Sequence, residues 1–240
     1  MRSLLRTFAL LAVAVALDAL PAFAQQPGTR GVIPQRNTTQ RVAGKRRALI
    51  VGIDEYQDQR IPQLRYATVD AMAFVGWLRS PAAAANIDTM VVLLNRDATR
   101  ERILDTYRSM VEQTQENDEL IFYYAGHGGV REVHNAMEGY LMPHDADSSN
   151  IARRGISLDD INKEVSYLPG QSPVLLILDA CRSGNLFNSN QMSSAAASLG
   201  PNIRRLVSSS GAQDSQEGDQ WEGHGAFTYF LLNGLYGMAD

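Results

Sequence analysis

The chain has one cysteine among its 240 residues, Cys181. A lone thiol cannot form an internal disulfide, so Cys181 is either an inert buried thiol or a reactive one. No cysteine near the amino terminus is available for a lipid anchor. There is no excess of basic charge: 22 Lys and Arg against 26 Asp and Glu give a net charge of −4, which lacks the footprint of a nucleic-acid-binding surface. Internal repeats are absent. Long apolar runs are missing apart from Phe8 to Leu17, which is short for a bilayer span and meets Asp18 at its distal end. Arg2 and Arg6 precede that run and Ala22-Phe23-Ala24 follows it, the layout of an export signal cut after Ala24. The expectation is a periplasmic or secreted protein with no stable membrane span once the signal is removed.

What remains suits one folded domain. With 45% hydrophobic residues the chain can bury one sizeable core but not two comfortable ones. Residues 1–24 read as the signal, 25–44 as a flexible leader without apolar periodicity, and 45–240 as the domain. Within it, the apolar run Ala48 to Val51 predicts a strand closed by Gly52. Ala67, Ala71, Phe74, Val75 and Leu78 share one face of a helix over about 66–79, ended by Pro81. Thr89 to Leu94 reads as a strand, and Asp97 as the N-cap of a helix carrying Ile103, Leu104, Tyr107 and Val111. Glu119 to Ala125 is a third strand. Ser157 and Asp160 are spaced like a capping box for a helix over about 158–167, and Pro173 to Ala180 is a fourth strand. Residues 185–200 read as a mobile loop, Arg205 to Ser209 as a fifth strand and Ala226 to Tyr236 as a last helix, with a final strand beyond Asp240 an open alternative. Short apolar runs alternating with amphipathic helices predict an α/β domain with a mostly parallel sheet covered on both faces.

Two segments gather the chemistry. Phe122-Tyr123-Tyr124-Ala125-Gly126-His127-Gly128 and Leu176-Ile177-Leu178-Asp179-Ala180-Cys181-Arg182-Ser183-Gly184 each place one reactive side chain where a buried strand is expected to meet a glycine-rich loop. Ligands bind at the carboxyl ends of strands in open α/β sheets, so a His and a Cys delivered there can face one crevice. A thiolate nucleophile and its base need that arrangement. These segments resemble the two catalytic motifs of the caspase, metacaspase and paracaspase superfamily, in which the histidine lies about fifty residues before the cysteine. The resemblance runs from about Arg46 to Asp240. It includes Leu64-Arg65-Tyr66-Ala67-Thr68-Val69-Asp70-Ala71, Ser210-Gly211-Ala212-Gln213-Asp214-Ser215-Gln216 and Gly225-Ala226-Phe227-Thr228, the last two similar to the small-subunit region of metacaspases.

The resemblance implies a three-layer caspase-like fold and a cysteine endopeptidase acting on proteins or peptides. Cys181 would attack the peptide carbonyl, His127 would exchange protons with thiol and leaving amine, and the amides of Gly128 and Cys181 would form the oxyanion hole. Nothing near His127 in Gly126-His127-Gly128-Gly129 is expected to wall it in. Asp70 and Asp179 match the positions where metacaspases place an acidic pocket for Arg or Lys. Leu64 stands where true caspases have the arginine that holds aspartate. Plain readings are a solvent-facing helix carboxylate for Asp70 and a loop acceptor for Asp179. Ser208, Ser209 and Ser210 would line the substrate through main-chain bonds. Calcium is an alternative, since Asp145, Asp147, Asp159 and Asp160 are similar to the acidic cluster of metacaspases. Against it, Ser157 to Asp160 is accounted for as a helix start, and Asn188 replaces a further acid, so no cofactor is expected to be required. His127, His134 and His144 match no common zinc spacing. A catalytically silent interaction module and a hydrolase of non-peptide substrates are the competing readings, and the oligomeric state is left open.

Overall fold

The computed structural model describes residues 44–83, 87–134, 136–170, 172–182, 196, 199–207 and 217–238, with 181, 182 and 217–219 described by backbone alone. The expected signal, residues 25–43 of the leader, nearly all of the expected loop 185–200, and Ser208 to Ser210 lie outside these residues.

The run Ala48 to Val51 forms β1 (Arg46–Gly52). Ala48 and Ile50 enter one core cluster, Leu49 and Val51 another. Helix α1 (Ala67–Arg79) follows, then β2 (Ile87–Leu94), α2 (Arg100–Gln113) and β3 (Glu119–Val133). In β3, Leu120, Phe122 and Tyr124 join one cluster and Ile121, Tyr123 and Ala125 the other, the two-residue period of a strand covered on both faces. Next come β4 (Ala136–Leu141), α3 (Ile151–Arg154), β5 (Ile156–Ser157), α4 (Leu158–Val165), β6 (Val174–Arg182) and β7 (Ile203–Val207). The described chain closes with the short pair β8 (Glu217–Gly218) and β9 (His224–Gly225) and with α5 (Ala226–Leu235).

Parallel pairing sets β2, β1, β3, β6 and β7 side by side. Along its β1 edge, β3 changes partner. Its residues 119–125 pair with β1, while residues 128–133 pair antiparallel with β4, which in turn pairs with β5. Helices α1 and α5 pack over the Ala48, Ile50 and Tyr123 face. Helices α2 and α4 cover the Leu49, Phe122 and Leu176 face. The result is a three-layer α/β fold around a mostly parallel sheet.

Three sequence readings are corrected. β3 does not end at Ala125 but runs on through His127 into a hairpin with β4, because Gly128 and Gly129 pair with Leu141 and Tyr140 instead of forming a loop. The N-cap of α2 is Thr99, whose hydroxyl accepts from Arg102 N at 3.3 Å, whereas Asp97 lies in a preceding 3-10 turn and binds Arg102 Nη1 at 2.6 Å. β7 starts at Ile203, two residues before the expected strand. Ser157 caps α4 as expected, accepting from Asp160 N at 2.9 Å.

Candidate active site

The carboxyl ends of β1 and β6 flank the same stretch of β3, residues 125–128. Across the parallel β3–β6 ladder, Ala125 lies opposite Asp179 and His127 opposite Cys181. Neighbouring strands stand about 4.7–4.9 Å apart, so the register alone sets the two candidate residues side by side.

His127 is only 1% exposed. The expectation that nothing walls it in is therefore overturned, and the cause is the loop between β1 and α1. From that loop the Tyr56 ring stands 5.1 Å from the imidazole, inclined by 30°, and the Tyr56 hydroxyl accepts from His127 N at 2.8 Å. Pro62 O lies 2.7 Å from Nε2. A carbonyl oxygen can only accept, so this contact requires the proton on Nε2 and makes Nδ1 the ring's acceptor. The His127 carbonyl is fixed as well, accepting from Met142 N at 3.0 Å and from the Tyr124 hydroxyl at 2.7 Å.

Asp70 and Asp179 meet at Gly225. Asp70 occupies the inward stripe of α1 with Ala67, Ala71 and Phe74 and is 3% exposed, so the solvent-facing reading fails. His224 Nδ1 lies 2.7 Å from Asp70 Oδ1, and Gly225 N donates to Asp70 Oδ2 at 3.0 Å. Asp179, 7% exposed, accepts from the Thr228 hydroxyl at 2.7 Å, and that hydroxyl also lies 2.7 Å from the Tyr123 hydroxyl. A side chain built on Gly225 would put its Cβ 2.9 Å from Asp70 Oδ2 and 3.4 Å from Asp179 Oδ2. Only glycine lets the start of α5 pass between the two carboxylates.

The remaining candidates are placed as follows. Gly128 lies in the sheet, opposite Leu141 of β4 and Arg182 of β6. Asp145 accepts from Arg100 N at 2.7 Å, Asp160 lies 3.6 Å from Arg100 Nη2, and Asp147 binds Arg60 Nη2 at 3.0 Å and the Ser149 hydroxyl at 2.6 Å. The Ser149 contacts and Arg60 hold the Asp147 carboxyl below its ordinary range. Asp159 sits in the first turn of α4. Among the described residues no group of three or more His, Cys, Asp or Glu could hold a metal ion, and the four acids are not gathered into one. His134 directly follows β3, and His144 Nδ1 meets Glu55 O at 2.6 Å. Sequence reasoning missed Tyr56, Pro62 and His224. His224 directly precedes the Gly225 to Thr228 segment, whereas nothing in the sequence marks Tyr56 or Pro62.

The comparisons with known proteins agree with this architecture. The family model described as Caspase domain matches residues 45–238. Metacaspase-1 of Saccharomyces cerevisiae is 27% identical over 183 residues, covering 71% of this chain and 41% of that protein. Metacaspase-1A of Aspergillus niger is 32% identical over 158 residues, covering 60% and 37% respectively. The chain thus spans about two-fifths of the length of the curated relatives it matches. A crystal structure of a Geobacter sulfurreducens protein aligns with a TM-score of 0.58 at 18% identity, covering 80% of this chain and 83% of that one, and shares the fold. No described helix is long and apolar enough to cross a membrane. With the family model matched from the start of β1 to beyond α5, the chain belongs to the caspase-domain family of peptidases.

Proposed function

We propose that this chain is an exported cysteine endopeptidase using Cys181 and His127, and that it cleaves after Arg or Lys. The observation that carries the reading is the strand register setting His127 beside Cys181, with Nε2 tied to Pro62 O. In the mechanism, Nδ1 takes the thiol proton and the thiolate sulfur bonds to the scissile carbonyl carbon. The developing oxyanion is met by backbone amides, with those of Gly128 and Cys181 the candidates. The imidazolium then gives its proton to the leaving nitrogen as the C–N bond breaks, leaving a thioester. Water, deprotonated by the same imidazole, displaces the sulfur and releases the acid. The Pro62 carbonyl stabilises the imidazolium and holds the neutral ring in its Nε2–H tautomer.

Two carboxylates flanking Gly225 support the basic preference, since charge-assisted pairing favours a guanidinium there and repels an acidic side chain. Export rests on the layout of residues 1–24. No cofactor takes part in these steps, and calcium enters as a variable of the test. Fluorogenic peptides ending in Arg, Lys or Asp are to be hydrolysed by wild type, Cys181→Ala and His127→Ala, with and without calcium. Arg and Lys peptides should be cut, with each substitution lowering kcat at least about 10³-fold. Near-normal turnover by Cys181→Ala would overturn the mechanism, and preference for Asp peptides would overturn the pocket.

A further inference from the structure

The partner change along β3 leaves a gap in the sheet at the residue that matters most. β1 ends opposite Ala125, and β4 ends at Leu141 opposite Gly128, so no strand of that edge reaches Gly126 or His127. The His127 carbonyl is taken by Met142 N, just past β4, and its amide by the Tyr56 hydroxyl. A phenol thus stands in for the missing strand.

We infer that Tyr56 is a positioning residue for His127, holding the backbone and the ring plane of the imidazole with one side chain while acting on no substrate atom. This rests on the Cys181/His127 reading above. Tyr56 is 8% exposed, its ring lies 5.1 Å from the imidazole, and its own hydroxyl reaches Ile53 O at 3.4 Å. Ile53, Tyr56 and Pro62 all belong to the loop after β1, so one loop meets His127 at three points: the amide, the ring face and Nε2. Tyr124 completes the clamp from below, its hydroxyl 2.7 Å from His127 O and 2.8 Å from Met142 O. Burial, and then the neighbouring Tyr56 hydroxyl, push the Tyr124 phenol well above the ordinary tyrosine range, so it stays a donor. Gly126 is the space that admits both phenols: a Cβ there would meet the Tyr124 hydroxyl at 2.7 Å and the Tyr56 hydroxyl at 3.1 Å.

With the imidazole slightly misplaced, substrate still binds but protons are transferred poorly, so the signature lies in kcat and in the thiol rather than in KM. Tyr56→Phe keeps the ring and removes the acceptor. It should lower kcat about 10- to 100-fold with KM changed less than about 2-fold. Alkylation of Cys181 by iodoacetamide, followed against pH, should also move toward the profile of an ordinary thiol, because a nearby imidazolium no longer supports the thiolate. A merely structural role would not shift that profile in folded protein. Gly126→Ala, which crowds both hydroxyls without altering either ring, should move kcat and the alkylation profile the same way and serves if Tyr56→Phe does not fold. If Cys181→Ala and His127→Ala are inactive while Tyr56→Phe or, in its place, Gly126→Ala shows wild-type kcat and alkylation, the positioning role alone falls. If Cys181→Ala turns over normally, the dyad falls and takes the positioning role with it.

Discussion

The two ends of the central sheet both bury charge, and they hold it differently. At the amino ends of β1 and β3, Arg47 and Asp118 are 5% and 4% exposed and meet at 2.6 Å. Lys45 N and Gln115 N add bonds to the same carboxylate at 2.7 and 2.9 Å. At the carboxyl ends, the partners of Asp70 and Asp179 include an imidazole, a backbone amide and a hydroxyl. A guanidinium meets the Asp118 carboxylate directly, whereas Asp70 and Asp179 come together about Gly225, at the end of the sheet where His127 lies opposite Cys181. The first arrangement serves the fold; the second gathers two carboxylates in one place, on which the proposed basic preference rests.

Breaking the amino-end pair should give the largest effect on stability. Removing Asp118 leaves the buried Arg47 with only the looser Asp88 carboxylate, 3.8 Å away, and Asp118→Ala should cost about 3 kcal/mol in urea unfolding. Peptidase kcat/KM per folded molecule should not change, and a parallel loss of activity would erase the distinction between the two ends. The acid limb gives a second reading. Burial raises the Asp118 carboxyl, but the Gln115 amide, Arg47 and the Lys45 amide outweigh it and hold the pKa below its ordinary 3.8. A folded-state value below the unfolded one contributes stability that is present above the unfolded pKa and is lost as pH falls through the folded one. Wild type should therefore lose stability below about pH 4 more steeply than Asp118→Asn.

The carboxyl end should respond in the opposite way. Asp179→Ala should lower kcat/KM for arginyl peptides at least about 10-fold, from loss of a desolvated charge pair, with the larger share in KM. Its effect on unfolding should be smaller than that of Asp118→Ala. A variant that unfolds readily but cleaves arginyl peptides as wild type would move Asp179 to the structural side of the comparison.

The difference between the ends also marks what the sequence could disclose. The alternating apolar strands and the order of the two chemistry-bearing segments were legible, because strand burial is written locally as runs such as Ala48 to Val51 and Leu120 to Ala125. The β3–β4 hairpin was not, since Gly128-Gly129 reads as a loop and Ala136 to Leu141 contains no β-branched residue. Asp97 and Thr99 are both good caps, and only the chain's path selects Thr99. The residues around His127 were hidden for a different reason. Tyr56 and Pro62 are separated from it by 71 and 65 residues, and their role depends on how one loop crosses a gap between strands. Arg47 and Asp118, likewise 71 residues apart, were equally silent.

The smallest expected effect tests what one hydroxyl contributes to the aim of Asp179. Thr228 is fully buried, and its hydroxyl both donates to Asp179 Oδ2 and lies within hydrogen-bond reach of the Tyr123 hydroxyl. Thr228→Val keeps the shape and removes the bridge. A neutral hydrogen bond contributes about 0.5–1.5 kcal/mol net, and one to a charged acceptor about 1.5–3. Asp179 keeps its place in β6 whatever happens at α5, so the change falls on the carboxylate's aim. KM for arginyl peptides should therefore rise about 3- to 10-fold with kcat little altered, well short of the loss in Asp179→Ala. If stability falls while KM for arginyl peptides stays at its wild-type value, the hydroxyl only ties α5 to the sheet, and the carboxyl end stores its charge by the same rule as the amino end.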